Sequence, residues 1–82
     1  MCEFGFVPTH KEQRGIIEIG LRIRKFREDQ EISQAQLAFE TGIPREQIGR
    51  IELAKINTSV GNILTICRVL DIHPKDLFDF EI

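Results

Sequence analysis

The chain has no tryptophan and no tyrosine, and it contains only two cysteines and three prolines. No apolar run approaches the length of a membrane span, and residues 1–15 contain no hydrophobic block of the signal-peptide type. We therefore expect a cytoplasmic protein that does not contact a membrane. Cys67 is far from Cys2 in sequence and falls on the apolar face of a helical pattern. This placement favours a reduced, buried thiol over a disulfide or a metal ligand.

Side chains suited to catalysis or cofactor binding are also few. His10 and His73 are isolated, and the chain has neither a glycine-rich phosphate loop nor cysteines at metal-ligand spacing. His73 directly precedes Pro74, so we interpret it as the cap of a short helix. The sequence therefore predicts no enzymatic activity, no cofactor and no metal site.

Positive charge is not in excess, because 11 Lys and Arg residues stand against 13 Asp and Glu residues, for a net charge of −2. A nucleic-acid-binding module is expected to be basic. The acidic excess, however, lies at the C-terminal end, where the only basic residues after Ile56 are Arg68 and Lys75. The acidic residues of this end are Asp71, Asp76, Asp79 and Glu81. We expect it to face away from any nucleic acid.

The stretch from Ser33 to Glu52 predicts two short amphipathic helices joined by a glycine turn. Ser33 can cap the first helix, and Gln36, three residues later, can reach back to complete a capping box. Gly42 can take the left-handed conformation that ends a helix, and Pro44 presets the first turn of the next helix. The chain is therefore expected to turn sharply and to begin a second helix almost at once.

The second of these helices has one apolar side. Ile48 and Ile51 are three residues apart and are expected to face inward. The residues expected to point largely outward are Arg45, Glu46, Gly49 and Arg50. A charged, exposed helix therefore follows the buried turn.

At these residues the chain resembles the Cro and lambda-repressor-like helix-turn-helix proteins, also called the XRE family. The family pattern is matched in register by Ser33, Gln34, Leu37, Ala38, Gly42, Ile48, Ile51 and Glu52. The resemblance extends over roughly residues 19–78. It implies an all-α, five-helix, lambda-repressor-like DNA-binding domain with the helix-turn-helix at helices 2 and 3. We place the helix-turn-helix core at residues 33–53 of a domain covering residues 9–82, preceded by an extension of residues 1–8.

The other helices are placed by periodicity and caps. Helix 1 starts near His10 or closer to Ile16 and ends near Gln30. Helix 4 starts at about Thr58 or Ser59, and a short helix 5 follows Pro74. The apolar stripe predicted for helix 4 consists of Val60, Ile63, Leu64, Cys67 and Leu70.

Two turns lack a glycine that relatives often carry. Glu31 stands in the turn after helix 1, and Ala54 stands in the loop after helix 3. A residue with a side chain is less comfortable at a positive φ, which puts the geometry of the turn at Glu31 in doubt.

Apolar residues, most of them aromatic, alternate with other residues at both ends of the chain. This period of two is typical of a half-buried strand, but it also fits frayed ends whose aromatics cover the core. The alternating residues are Cys2, Phe4 and Phe6 at the start and Phe78, Phe80 and Ile82 at the finish. Short terminal strands would help to build a dimer, and we assign the dimer interface to Phe78, Phe80 and Ile82, together with helices 4 and 5.

The exposed side of helix 3 carries the candidate base contacts. Arg45 and Arg50 lie five positions apart, and a guanidinium group matches the O6 and N7 acceptors of guanine. Glu46 can either accept from a cytosine amino group or hold Arg50 at the i,i+4 spacing. Gly49 costs helix stability, so either the protein or the DNA must approach too closely for a side chain.

Backbone contacts and one ion pair follow from the resemblance. Gln34, at the start of helix 2, corresponds to a glutamine that contacts the DNA backbone in relatives, and free amide donors lie next to it. Arg27 and Glu52 occupy positions where relatives often carry a partly buried ion pair. The loop after helix 3 supplies further candidates for backbone contacts, namely Lys55, Asn57 and Thr58. From its position near the side of helix 3, Gln47 is a further candidate for a phosphate or base contact.

We predict a sequence-specific, double-stranded DNA-binding transcriptional regulator that acts as a repressor. One recognition helix covers few base pairs, whereas a homodimer can read the two half-sites of a palindromic operator. Two alternatives remain open. An antitoxin-type interaction module would bind a partner protein through its terminal aromatics, and that protein would co-purify with it. A fragment of a larger enzyme with an appended helix-turn-helix would belong to a longer reading frame.

Overall fold

A computed structural model describes residues 10–81 of the chain. These residues form five helices and, within that range, no strand, which confirms the all-α fold. Predictions for residues 1–8 and for Ile82 lie outside the described residues. The helices are α1 (His10–Asp29), α2 (Gln34–Thr41), α3 (Arg45–Glu52), α4 (Val60–Leu70) and α5 (Lys75–Phe78).

The ends of α2 are fixed by local chemistry, as the sequence predicts. Ser33 Oγ accepts from the Gln36 amide at 3.0 Å, and Gly42 ends the helix at φ 79°. The side chain of Gln36 does not reach back to Ser33, because its Nε2 donates to Glu40 at 3.0 Å. The second half of the predicted capping box is therefore wrong, since an exposed i,i+4 partner is closer at hand.

The loops after α1 and α3 keep their geometry without glycine. Glu31 has φ 59° and Ala54 has φ 60°, so both lie in the left-handed region. A side chain at a positive φ costs free energy, and the main-chain hydrogen bonds around these two residues offset that cost. The Ile32 amide donates to Arg27 O at 3.0 Å, and the Lys55 amide donates to Arg50 O at 2.8 Å.

All five helices contribute side chains to one apolar core. Its largest fully buried side chains are Ile23, Leu37, Ile48, Ile66, Leu70 and Leu77. Cys67 is also buried, which confirms the packing role predicted for it. Burial raises the pKa of the Cys67 thiol, and the charge of Asp76 adds to the effect, so the thiol stays neutral.

Gly20 lies where α1 crosses α3. A Cβ built on Gly20 would lie 2.6 Å from the carbonyl oxygen of Ile51 and 2.7 Å from that of Glu52. Because these are main-chain atoms, they cannot move aside without shifting the end of α3. Gly20 weakens α1 because glycine has a low helix propensity. Its lack of a side chain, however, allows α1 and α3 to approach closely.

The predicted stripe of α4 is wrong at two positions. Val60 is 74% exposed and Leu64 is 49% exposed, whereas Ile63, Cys67 and Leu70 are buried. The difference arises because α4 packs on α1 and α2 through a stripe narrower than its apolar surface.

The C-terminal segment also differs from the alternating pattern. Phe78 ends α5 with 53% of its surface exposed, and the Phe80 amide donates to Phe78 O at 2.9 Å. Arg22 of α1 holds this segment, because its guanidinium lies 5.6 Å from the centre of the Phe80 ring and donates to Asp76 O at 3.2 Å. The alternation at residues 78–81 therefore reflects a short helix and an aromatic ring held beside Arg22, and of the two alternatives left open by the sequence the strand is wrong for these residues.

No helix among residues 10–81 is long and apolar enough to cross a membrane. Over the same residues, no group of three or more His, Cys, Asp and Glu side chains is arranged to hold a metal ion.

Candidate nucleic-acid interface

The exposed side of α3 is formed as its pattern predicts. Ile48 is fully buried and Ile51 is 4% exposed, and these two side chains fix the helix against the core. Pro44 ends the turn after α2, and its carbonyl accepts from the amides of Gln47 and Ile48 at 2.9 and 3.1 Å. The side chains left outside on α3 are those of Arg45, Glu46, Gln47 and Arg50.

The two arginines of α3 are held only loosely by other side chains. Arg50 Nη2 lies 3.6 Å from Glu46 Oε1, and the two side chains are 53% and 78% exposed. An exposed i,i+4 pair contributes only about 0.3–0.5 kcal/mol, so an incoming nucleic acid can displace it. Arg45 has no ion-pair partner among residues 10–81. Both guanidinium groups are therefore available to a ligand.

The glycine in α3 has open space on its outer side. A Cβ built on Gly49 would meet only the side-chain amide of Gln34, at 3.7 Å from Oε1 and 3.9 Å from Nε2. These are ordinary van der Waals distances, so packing within the protein does not require glycine here. Of the two explanations offered by the sequence, a close approach within the protein is excluded for residues 10–81.

Arg27 and Glu52 form a bidentate ion pair between α1 and the end of α3. Arg27 Nε donates to Glu52 Oε2 at 2.7 Å, and Arg27 Nη2 donates to Glu52 Oε1 at 3.1 Å. The two side chains are 9% and 1% exposed. The hydrogen bonds to Glu52 raise the pKa of Arg27, although burial acts in the opposite direction, so the guanidinium remains charged. The pair ties the exposed helix to the scaffold.

The side chain of Gln34 lies between α2 and α3. Its Nε2 donates to Glu52 Oε1 at 3.0 Å, and the amide lies beside Gly49. The main-chain N–H groups of Gln34 and Ala35 are at the N-terminus of α2, where they have no partner within the helix. The resemblance predicted a role for Gln34 but not its bond to Glu52.

The loop between α3 and α4 carries the remaining candidates. Lys55 and Asn57 are exposed, and Thr58 is half-buried. Thr58 Oγ1 accepts from Asn62 Nδ2 at 2.9 Å, which orders the loop before α4. The structure thus places Lys55, Asn57 and Thr58 on one short segment that follows the exposed helix.

Comparison with known proteins decides the family. A family model described as "Helix-turn-helix" matches residues 23–77, which include α2 and α3. The chain belongs to this family. It is an XRE-type helix-turn-helix protein, and DNA binding and transcription regulation are the functions of that class.

Two sequence relatives of this helix-turn-helix protein carry names that describe control or regulation. The chain is 40% identical over 62 residues to "Control protein C.BamHI" of Bacillus amyloliquefaciens, a match that covers 74% of this chain and 76% of that protein. It is 38% identical over 60 residues to an "Uncharacterized HTH-type transcriptional regulator" of Archaeoglobus fulgidus, covering 73% of this chain and 86% of that protein.

Two solved structures share the fold. The restriction-modification controller protein C.AhdI from Aeromonas hydrophila matches with a TM-score of 0.76 and 37% identity, covering 79% of this chain and 98% of that one. A hypothetical transcription factor, NHTF, from Neisseria matches with a TM-score of 0.74 and 20% identity, covering 92% of this chain and 85% of that one. The second likeness concerns the fold alone.

The helix-turn-helix protein also has an apolar groove of about 200 Å³, and none of the exposed side chains of α3 lines it. Its rim includes Val60, Leu64 and Phe78, three large apolar side chains that are all at least 49% exposed. The apolar period of α4 puts Val60 and Leu64 on one stripe with Ile63, Cys67 and Leu70, and only the packing of α4 shows that these two residues are at the surface.

Proposed function

We propose that the protein binds duplex DNA as a homodimer, with α3 in the major groove, and represses its own or neighbouring genes from a palindromic operator. The observation that carries this proposal is the exposed, arginine-bearing face of α3 on a helix fixed by a buried ion pair. Two relatives whose names describe control proteins, C.BamHI and C.AhdI, support a regulatory role. The proposal includes no catalytic step.

The proposed base contacts come from the outer side of α3. Arg45 and Arg50 donate to guanine O6 and N7, and Gly49 lets the helix approach the bases closely. Glu46 accepts from a cytosine amino group or positions Arg50. The proposed phosphate contacts are the main-chain N–H of Gln34 and the side chains of Gln47, Lys55, Asn57 and Thr58.

Two variants distinguish base recognition from contact with the phosphate backbone. Arg50→Ala is expected to cost about 1–3 kcal/mol on the preferred site and to relax the base preference at one position of each half-site. Lys55→Ala is expected to weaken specific and non-specific binding by similar factors, because a phosphate contact is independent of sequence. It should also reduce the slope of log affinity against log salt by about one.

The measurement uses a selected operator, a scrambled duplex of the same length and a salt series for each variant. If Arg50→Ala lowers the affinity for both duplexes equally and leaves the base preferences intact, α3 does not read sequence through Arg50. In that case the base contact assigned to Arg50 has to be withdrawn.

The apolar residues that α1, α4 and α5 contribute to the groove are the proposed surface for the second copy, and its two polar lining residues, Asn57 and Thr58, keep their proposed phosphate contacts. A single recognition helix contacts few base pairs, so a protein with a net charge of −2 needs a second copy to bind one site tightly. Val60, Leu64 and Phe78 supply contiguous apolar surface on so small a domain. Compared with the interface expected from the sequence, this proposal replaces Phe80 with residues of α4, because the Arg22 guanidinium lies over the Phe80 ring.

Leu64→Glu is therefore expected to convert the dimer into a monomer and to weaken operator binding at least tenfold, as measured by sedimentation and DNA titration. The matched control is Leu21→Glu on α1, since Leu21 is 52% exposed against 49% for Leu64 but lies outside the groove. Wild-type protein that sediments only as a monomer at high concentration would contradict the dimer. Co-purification of a second small protein, lost in Leu64→Glu, would instead favour the antitoxin-type function.

A further inference from the structure

The side-chain amide of Gln34 is oriented by a buried carboxylate. Gln34 Nε2 donates to Glu52 Oε1 at 3.0 Å, and the Glu52 side chain is only 1% exposed. A carboxylate can only accept hydrogen bonds, so the nitrogen of the amide faces Glu52 and its oxygen faces away.

This orientation is fixed before any ligand arrives. Glu52 receives two hydrogen bonds from Arg27, and Arg27 also donates to Ile32 O at 2.8 Å. The carboxylate that holds Gln34 therefore cannot rotate without breaking a bidentate pair inside the core. Gln34 is preorganised in the way that a specific contact requires.

The other edge of the amide is open. Among residues 10–81, Gln34 Oε1 has no hydrogen-bond partner. The amide lies beside Gly49, where a Cβ would be 3.7 Å from Oε1 and 3.9 Å from Nε2. Because Gly49 has no side chain, it does not cover this edge. The open edge offers one acceptor, Oε1, and the second N–H of Nε2 as a donor.

We propose that the Gln34 side chain reads an adenine in the major groove, which makes it a specificity-determining residue on α2 rather than a phosphate contact. This inference rests on the proposed DNA-binding function. Adenine presents its N6 amino group as a donor and its N7 as an acceptor, the complement of the open amide edge. Phosphate oxygens only accept, so they match the single N–H and repel Oε1. The main-chain N–H of Gln34 remains available to a phosphate.

The test starts with parallel random-library selections for wild type and Gln34→Ala. The wild type is expected to enrich adenine at one position of each half-site, and Gln34→Ala is expected to lose that preference alone. The matched control is Gln36→Ala, because Gln36 is an exposed glutamine of the same helix that bonds to Glu40. This control is expected to keep the adenine preference.

A chemical change in the DNA tests the contact without relying on a variant. Replacing the selected adenine with 7-deazaadenine removes N7 and keeps the base pair. Wild-type binding is expected to weaken about tenfold, because N7 accepts one of the two hydrogen bonds of the bidentate contact, whereas Gln34→Ala is expected to bind both duplexes equally.

The outcomes distinguish this inference from the function it rests on. If Gln34→Ala weakens all sequences by one factor and keeps every base preference, or if 7-deazaadenine has no effect on wild type, the adenine contact is wrong and DNA binding stands. If the wild type enriches no sequence, both proposals are overturned.

Discussion

Replacing Glu52 with alanine is expected to lower the free energy of unfolding by about 3–5 kcal/mol. The substitution leaves the buried Arg27 guanidinium with the Ile32 carbonyl as its remaining hydrogen-bond acceptor and with the half-exposed Glu28 carboxylate 3.8 Å from Nη2. A buried charge that has lost both water and its bidentate partner is costly, and an exposed carboxylate at that distance replaces the lost pair only weakly. The Gln34 amide loses its acceptor as well. Urea unfolding monitored by circular dichroism measures the loss.

Two further variants test whether the loss of stability comes from breaking the Arg27–Glu52 ion pair. The matched control is Glu46→Ala, which removes an acid from the same helix, and since Glu46 is 78% exposed it should change stability by less than about 0.5 kcal/mol. The double variant Arg27→Ala, Glu52→Ala should recover part of the loss, because it leaves no unpaired charge. Strict additivity of the two single variants would reject the energetic coupling of Arg27 and Glu52.

Gly20→Ala is expected to destabilise the fold by about 3 kcal/mol, even though alanine is the better helix former by about 1 kcal/mol. The added methyl group would lie 2.6 Å from Ile51 O and 2.7 Å from Glu52 O. Either α1 and α3 separate or the last turn of α3 is distorted, and both changes disturb the core. Thermal and urea unfolding of the variant measure the effect.

Gly49→Ala is the matched control, because it makes the same substitution in a helix where the new methyl group has room. It is expected to leave stability unchanged or to raise it by up to about 1 kcal/mol. Equal effects of the two substitutions would show that the close crossing of α1 and α3 does not decide the role of Gly20.

Local chemistry made much of the fold predictable from the sequence. Ser33 and Gly42 end α2 as expected, because caps depend on residues that are neighbours in the chain. Ile48 and Ile51 are buried, because an 8-residue helix with two apolar positions has only one side to bury. The position of the Arg27 and Glu52 pair came from family resemblance, and the structure contains the pair.

The errors concern residues whose role depends on which elements pack together. Val60 and Leu64 fit the apolar period of α4, but periodicity does not show how wide a stripe the neighbouring helices cover. Phe78 and Phe80 alternate like a strand, yet α5 and Arg22 decide their positions. Such contacts follow from tertiary packing, which a pattern within one segment does not contain.

The candidate site also has some features that the sequence predicts and others that only the tertiary structure shows. The outward positions of Arg45 and Arg50 follow from the period of α3. The bond from Gln34 to Glu52 joins residues 18 apart in sequence, and its partner is also held by Arg27. No spacing rule predicts a shared acceptor of this kind, because it depends on how α1, α2 and α3 meet.

The close crossing of α1 and α3 has a calorimetric consequence. If α3 reads DNA as proposed, it is already packed on the scaffold and does not fold when DNA arrives, so little new protein core is buried on binding. The heat-capacity change of association should therefore be small and should scale with the area of the protein–DNA contact alone. Proteins that couple folding to binding show a much larger change, so this one quantity reports that the reading surface exists in the free protein.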